Sequence, residues 1–291
     1  MYRLWIAALF WGLNWPAVKI MLTAISPWTL RALGLACGAT LLAAFTKATG
    51  ASLAIPRGHW RHLVIAGLLN VAGFNIFAVF AQLSMPASRA AILTFTMPLW
   101  AALFGWIVLA EPIDRLRAAS LTLGTLGLAI LSTSFWPVIA TGHLPLGLVY
   151  VLGAAICWAA GTVYLKKYKI AADPLAITTW QVIVAAIACT LGMALFEVPR
   201  FDLSEPRVAF AFAYHVTLPQ AASYVLWFSL ITKVSSSTAS LGTLLVPVFG
   251  VIGAVVILGD QPTALDLTGF GLLLLAVLSD QLLRSKSMSP R

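Results

Sequence analysis

The sequence predicts an all-α membrane protein: ten transmembrane helices, arranged as two inverted five-helix repeats around a central cavity. Three observations carry that expectation. Of 291 residues, 61% are hydrophobic and 9% charged, with a mean hydropathy of +0.96, whereas a soluble domain carries about 25% charged residues. The apolar residues fall in runs close to the ~20 residues that a membrane helix needs. The second half of the chain also repeats the first. Ser88, Pro98 and Glu111 recur 149 residues later as Ser237, Pro247 and Asp260, and Trp11, Lys19 and Pro27 recur 147 residues later as Trp158, Lys166 and Pro174. A chain duplicated about its middle in lipid is the usual construction of a secondary transporter.

Charges and Pro/Gly breaks divide the chain into spans at 2–22, 27–47, 60–83, 87–109, 114–134, 145–168, 174–196, 207–231, 236–258 and 264–284. Span 1 follows Tyr2-Arg3 as a signal peptide would, but its apolar run is too long and no small-residue cleavage site follows, so an uncleaved helix is expected. Span 2 carries Gly34 and Gly38, a spacing that suits close helix packing within the chain or at a dimer contact. Span 3 places Asn75 and Gln82 seven residues apart, on one side. Spans 4 and 9 are interrupted at matching positions by Pro98 and Pro247, and Gly250 follows the second. Spans 5 and 10 have glycines but almost no polar face, which places them outside the polar path. Span 6 echoes span 1, and span 7 opens on Asp173-Pro174 as span 2 opens on Ser26-Pro27. Span 8 carries Tyr214, Thr217, Tyr224 and Phe228 as a stripe, with Gln220 and Trp227 at its edge and Pro219 as a break. Residues 1–135 thus form the first repeat, 136–144 a connecting loop and 145–291 the second repeat.

The net charge of +9 does not imply nucleic acid, because the basic residues sit in short loops between apolar spans. With the N-terminus inside, thirteen Lys/Arg face one side of the membrane and five (Lys19, Arg31, Arg89, Arg200 and Arg207) the other. That asymmetry makes both termini cytoplasmic. Five helices per repeat is an odd number, so the halves run in opposite directions, which usually places a substrate site near the midplane.

Trp11-Gly12-Leu13-Asn14-Trp15 with Lys19 resembles the opening of EamA-type repeats in the drug/metabolite transporter superfamily. Ala90…Pro98 followed by Leu109-Ala110-Glu111 resembles the fourth helix of that repeat and its acidic end, while Leu258-Gly259-Asp260 departs from it with Asp for Glu. The resemblance covers almost the whole chain and is most specific in that the motifs occur twice, in order. It implies ten helices, inverted repeats, and export or exchange of small metabolites. Within the superfamily the chain looks most like the YddG-type exporters of aromatic amino acids. The expected location is the bacterial cytoplasmic (inner) membrane, with multiple passes.

Lipid contains no water, so polar atoms within spans should face other helices or a cavity. Trp11, Asn14, Trp15 and Val18 share one face of span 1, and Trp158, Gly161, Thr162 and Leu165 share the matching face of span 6. The candidate substrate-binding set is Trp11, Asn14, Trp15, Asn75, Gln82, Trp158, Tyr214, Tyr224 and Trp227, with Pro98, Pro247 and Gly250 as gating or hinge residues. Indole and phenol rings offer flat apolar area with one hydrogen-bond handle, which suits an aromatic or large neutral amino acid. The bland alternatives are interfacial belts for the aromatics, interhelical glue for Asn14 and Asn75, and static kinks for the prolines. His215 could relay protons or make a structural hydrogen bond, and the latter is expected because no buried carboxylate accompanies it: Glu111, Asp260 and Asp266 sit at span ends.

The partners expected are a small-molecule substrate and the lipid bilayer, with the chain a monomer or weak homodimer. No cofactor or metal is expected: Cys37, Cys157 and Cys189 lack ligand spacing and read as small core residues. A sugar-phosphate exchanger of the same superfamily is the runner-up, but it would want cavity-facing Lys or Arg, for which Arg31, Arg89 and Lys233 are the candidates. An enzyme would need a nucleophile–base pair or a motif such as HExxH or GxSxG, and a channel would need a filter built by subunit symmetry or pore loops. Neither is visible in the sequence.

Overall fold

The computed structural model describes residues 2–223, Leu226 and residues 236–287, and these are helical with no strand among them. Its helices are α1 (Tyr2–Met21), α2 (Pro27–Ala48), α3 (Trp60–Gly67), α4 (Phe74–Ser84), α5 (Ala87–Thr94), α6 (Met97–Leu109), α7 (Arg115–Ser132), α8 (Trp136–Ala140), α9 (Leu146–Lys167), α10 (Pro174–Phe196), α11 (Pro206–Thr217), α12 (Ser236–Gly253) and α13 (Ala264–Ser287). A π-helical segment, Leu68–Gly73, joins α3 to α4; a second, Leu218–Ala222, continues α11; a third, Ala254–Leu258, continues α12. Among the described residues seven helices are long and apolar enough to cross a bilayer, the longest running Arg57–Ser84, and two shorter apolar helices follow at Leu244–Leu258 and Ala264–Ser279. Large apolar side chains such as Ile107, Leu195, Phe210 and Val256 point outward, the arrangement expected where the surrounding solvent is lipid.

Local chemistry sets the helix ends. Pro27, Pro174 and Pro206 open α2, α10 and α11, positions where proline's missing N–H costs nothing. Asp114 caps α7 through the Arg117 amide, and Asp173 caps α10 through Leu175. Ser26 does not cap α2. Glu197 does so from across the fold, accepting from the Trp28 and Thr29 amides and the Thr29 hydroxyl at 2.8–3.2 Å, so a carboxylate faces the positive end of the helix dipole. Beside it, Ser26 and Arg200 exchange backbone and side-chain hydrogen bonds, which ties the segment before α2 to the one after α10.

Two expectations need correction. Pro98 does interrupt span 4, but Pro247 lies within the continuous helix α12. The break before Pro98 falls at Phe95–Thr96, where Thr94 and Thr96 turn their hydroxyls back onto the carbonyls of Ala90 and Leu93. The stretch 136–144 is not a plain loop, since Trp136–Ala140 forms a short helix with Pro137 in its first turn. Within span 3 the Leu68–Gly73 segment inserts wider turns.

Long-range packing pairs the helices. α2 packs on α10, α7 on α13, α1 on α12, and α9 on both α4 and α6. The Gly34–Gly38 face of α2 is occupied within the chain: a methyl at Gly34 would stand 2.6 Å from His215 Nε2, and one at Gly38 would stand 3.0 Å from Gln220 Cβ. The imidazole therefore uses the space that the glycine leaves. α7 and α13 approach as closely, with the Gly269 carbonyl against Gly127, and Ser120 and Ser279 share a 2.8 Å hydrogen bond.

Candidate functional site

A cavity of about 460 Å³ lies between the helix pairs. α1 supplies one wall with Trp11, Asn14, Trp15 and Val18, the four residues that share a face at helical spacing. The Leu68–Gly73 segment and α4 supply Asn70, Phe74, Asn75 and Gln82, and α9 supplies Trp158. Pro98 and Pro247 lie on the wall from α6 and α12, as do Pro219 and Gln220 from the second π-helical segment. A π-helical turn shifts backbone bonding by one residue and frees groups for other partners. The carbonyl of Pro219 accordingly accepts from Trp11 Nε1 at 3.1 Å.

Polar groups around the cavity are held by specific partners. Asn75 Nδ2 donates to the Val71 carbonyl at 2.9 Å, which bridges the π-helical segment and leaves the amide oxygen for the cavity. Asn14 Oδ1 accepts from Nδ1 of His215, which is fully buried, at 2.7 Å. That contact makes His215 a positioning group for Asn14, the structural role anticipated for it. Thr162 Oγ1 donates to the Trp158 carbonyl at 2.9 Å and stands 3.3 Å from Asn70 Oδ1, so α9 is fixed against the Leu68–Gly73 segment behind Trp158.

Of the anticipated residues, Trp11, Asn14, Trp15, Asn75, Gln82, Trp158, Pro98 and Pro247 reach the cavity wall. Gly250 stands behind it, where a methyl would meet Trp15 Cδ1 at 3.1 Å. Tyr214 is not on the wall: its hydroxyl donates to the Phe10 carbonyl at 2.8 Å and joins α11 to α1. A tyrosine hydroxyl in an apolar span needs an acceptor, and the nearest one lies on the flank of α1. Tyr224 and Trp227 lie outside the described residues. Two further wall residues are Arg31 of α2, which the sequence offered only as a phosphate ligand, and Val277 of α13, a span expected outside the polar path. An arginine one turn into an apolar helix, with no acid in that helix, is the signal that could have marked Arg31.

Charged clusters close the two ends. At one end Glu111 accepts from Lys166 of α9 and from both terminal nitrogens of Arg117 at 3.2 Å. The Lys166 ammonium, with Arg117 beside it, holds the Glu111 carboxyl below the usual carboxylate range. At the other end Asp260 accepts from the Ser88 amide and hydroxyl at 2.9 and 2.8 Å, and Arg89 makes a two-bond pair with Asp266 at 2.9 and 2.8 Å. Lys19 at that end donates to the carbonyls of Gln82 and Met85. Among the described residues no group of three or more His, Cys, Asp or Glu could hold a metal ion.

Comparison with known proteins bears on this geometry. The profile of the EamA-like transporter family matches residues 3–133 and again 145–279, and the chain belongs to that family. It is 25% identical to the "Uncharacterized transporter YvbV" of Bacillus subtilis, over 97% of this chain and 90% of that one. It is 23% identical to the "Probable amino-acid metabolite efflux pump" of Salmonella typhimurium, over 89% of this chain and 87% of that one. One crystal structure superposes on 99% of this chain and 98% of its own, with a TM-score of 0.68 at 19% identity, a likeness of fold alone. The chain is a multi-pass membrane transporter.

Proposed function

We propose that this EamA-family chain exports small amphipathic metabolites, aromatic or large neutral amino acids in particular, across the bacterial cytoplasmic membrane by alternating access. The observation that carries the proposal is the cavity itself. Its ~460 Å³ is walled by Trp11, Trp15, Phe74 and Trp158 and carries the amides of Asn14, Asn75 and Gln82. An apolar, aromatic cavity of this size with a few converging polar groups suits a small molecule that has a ring and a polar head. The efflux for which the Salmonella relative is named agrees with the direction of transport proposed. The runner-up, a sugar-phosphate exchanger, needs several cations on the wall. Arg31 is there, but Arg89 is committed to Asp266.

Several features support ten spans in two inverted repeats, residues 1–135 and 145–291, joined by 136–144. The π-helical segments Leu68–Gly73 and Leu218–Ala222 stand at matching places in the two halves. Ala110 (φ 53°) and Gly259 (φ 73°), 149 residues apart, both end their helices in the left-handed region. The next amides, of Glu111 and Asp260, reach back to the carbonyls of Gly105 and Ala254, each at 3.2 Å. The pairing of α1 with α12 repeats that of α9 with α6, and α2–α10 and α7–α13 each pair with their own counterparts. The Lys/Arg asymmetry supports cytoplasmic termini. The reading takes the chain as a monomer or weak homodimer, because the Gly34–Gly38 face is already filled internally.

Single cysteines in a variant free of Cys37, Cys157 and Cys189 test the path and the orientation together. In intact cells a membrane-impermeant thiol reagent should label Thr141→Cys, leave Ala51→Cys untouched, and label Asn75→Cys more slowly when tryptophan is present. Thr125→Cys, on the outward face of α7, should stay unreactive. Labelling of Ala51→Cys but not Thr141→Cys would reverse the orientation, and labelling of Asn75→Cys and Thr125→Cys to the same extent would remove the cavity as the route.

A further inference from the structure

Arg31 stands out among the cations of this chain. Its residue is 3% exposed, it lies on the cavity wall, and its Nε has no hydrogen-bond partner among the described residues. The other cations at the span ends are engaged: Arg89 with Asp266, Arg117 and Lys166 with Glu111, and Lys19 with two backbone carbonyls. No Asp or Glu lines the cavity among the described residues. A guanidinium stays protonated in proteins, and an unpaired charge out of water is costly. The wall therefore offers a guanidinium whose Nε has no partner among the described residues.

Gln82 presents the opposite deficit. It is 1% exposed, lies on the same cavity wall from α4, which packs against α2, and its Oε1 has no donor. A simple anion would answer Arg31 alone, and an amine would answer Gln82 alone. A molecule with a carboxylate and an ammonium on one carbon answers both, and its side chain is left to Trp11, Trp15, Phe74 and Trp158.

We propose that the cavity recognises the zwitterionic head of an α-amino acid, the Arg31 guanidinium binding the carboxylate and the Gln82 amide oxygen accepting from the ammonium. This rests on the amino-acid reading above and names the groups that enforce it. Fork-to-carboxylate pairing provides two parallel charge-assisted bonds, which no neutral amide on the wall can match.

The test uses the full chain in proteoliposomes with labelled L-tryptophan, competed by tryptamine, which lacks the carboxylate, and by indole-3-propionate, which lacks the ammonium. Each analogue should compete at least ~tenfold more weakly than tryptophan. Arg31→Gln should raise the KM for tryptophan at least ~tenfold and leave inhibition by tryptamine within about twofold, while Arg31→Lys recovers part of the loss. Gln82→Leu should weaken tryptophan and tryptamine and spare indole-3-propionate. Retained tryptamine inhibition shows that Arg31→Gln is folded, and retained indole-3-propionate inhibition shows the same for Gln82→Leu. Wild-type protein that carries tryptophan with a KM unchanged by Arg31→Gln, an Arg31→Gln variant that loses tryptophan and tryptamine in parallel, or a Gln82→Leu variant that loses indole-3-propionate along with them, overturns this assignment alone. Wild-type protein that carries a triose phosphate and not tryptophan overturns the amino-acid reading and the assignment with it.

Discussion

Replacing Asp266 with alanine is expected to destabilise the protein by about 3 kcal/mol, the lower part of the range for breaking a buried ion pair. The Asp266 side chain is 3% exposed and accepts four hydrogen bonds, two from Arg89 and two from the amide and hydroxyl of Thr263. Removing it leaves a guanidinium and a helix start unsatisfied together. Arg89 is 21% exposed and recovers some solvation, which is why the lower figure applies. Unfolding of the purified protein in detergent should show the loss, and the double variant Arg89→Leu/Asp266→Leu should be less damaged than Asp266→Ala. A loss below about 0.5 kcal/mol would mean that the pair behaves as a surface salt bridge.

Gly12→Val is expected to reduce transport at least ~tenfold, the consequence of forcing bulk into a packed helix contact. Even a methyl at Gly12 would lie 2.5 Å from Phe249 Cβ and 2.7 Å from the Val246 carbonyl, so the backbone of α12 must retreat. α1 would move with it, and α1 carries Trp11, Asn14, Trp15 and Val18 on the cavity wall. Gly271→Ala is the control, since nothing lies within 4 Å of a methyl there. It should leave transport intact and gain up to about 1 kcal/mol in helix propensity. Full activity of Gly12→Val at matched membrane abundance would show that the α1–α12 contact does not set the cavity.

Much of this architecture is legible in the sequence because two simple periods govern it. Span length exposes the membrane helices, and the 3.6-residue period places Trp11, Asn14, Trp15 and Val18 on one face, all four of which reach the cavity. The same period places Tyr214 in the span 8 stripe, but there its hydroxyl decides its position by finding the Phe10 carbonyl. The π-helical segments were hidden because one extra residue in a turn leaves no mark in an apolar run; only Pro219 hints at the second. Glu197 capping α2 and Asp260 holding Ser88 are contacts across some 170 residues, which local patterns cannot register. Arg31 was weighed only as a phosphate ligand near a span end, since its lack of a partner becomes visible only once its neighbours are placed.

Competition in counterflow tests the central claim most directly, that the transported molecule is an aromatic or large neutral amino acid. Proteoliposomes loaded with tryptophan are given labelled tryptophan outside, with unlabelled phenylalanine, threonine or a triose phosphate as competitor. Phenylalanine should compete about as well as tryptophan itself, threonine more weakly because it gives no ring to the Trp11, Trp15 and Trp158 wall, and the triose phosphate not at all. Absence of labelled-tryptophan counterflow, or counterflow that the triose phosphate inhibits and phenylalanine does not, would contradict the account.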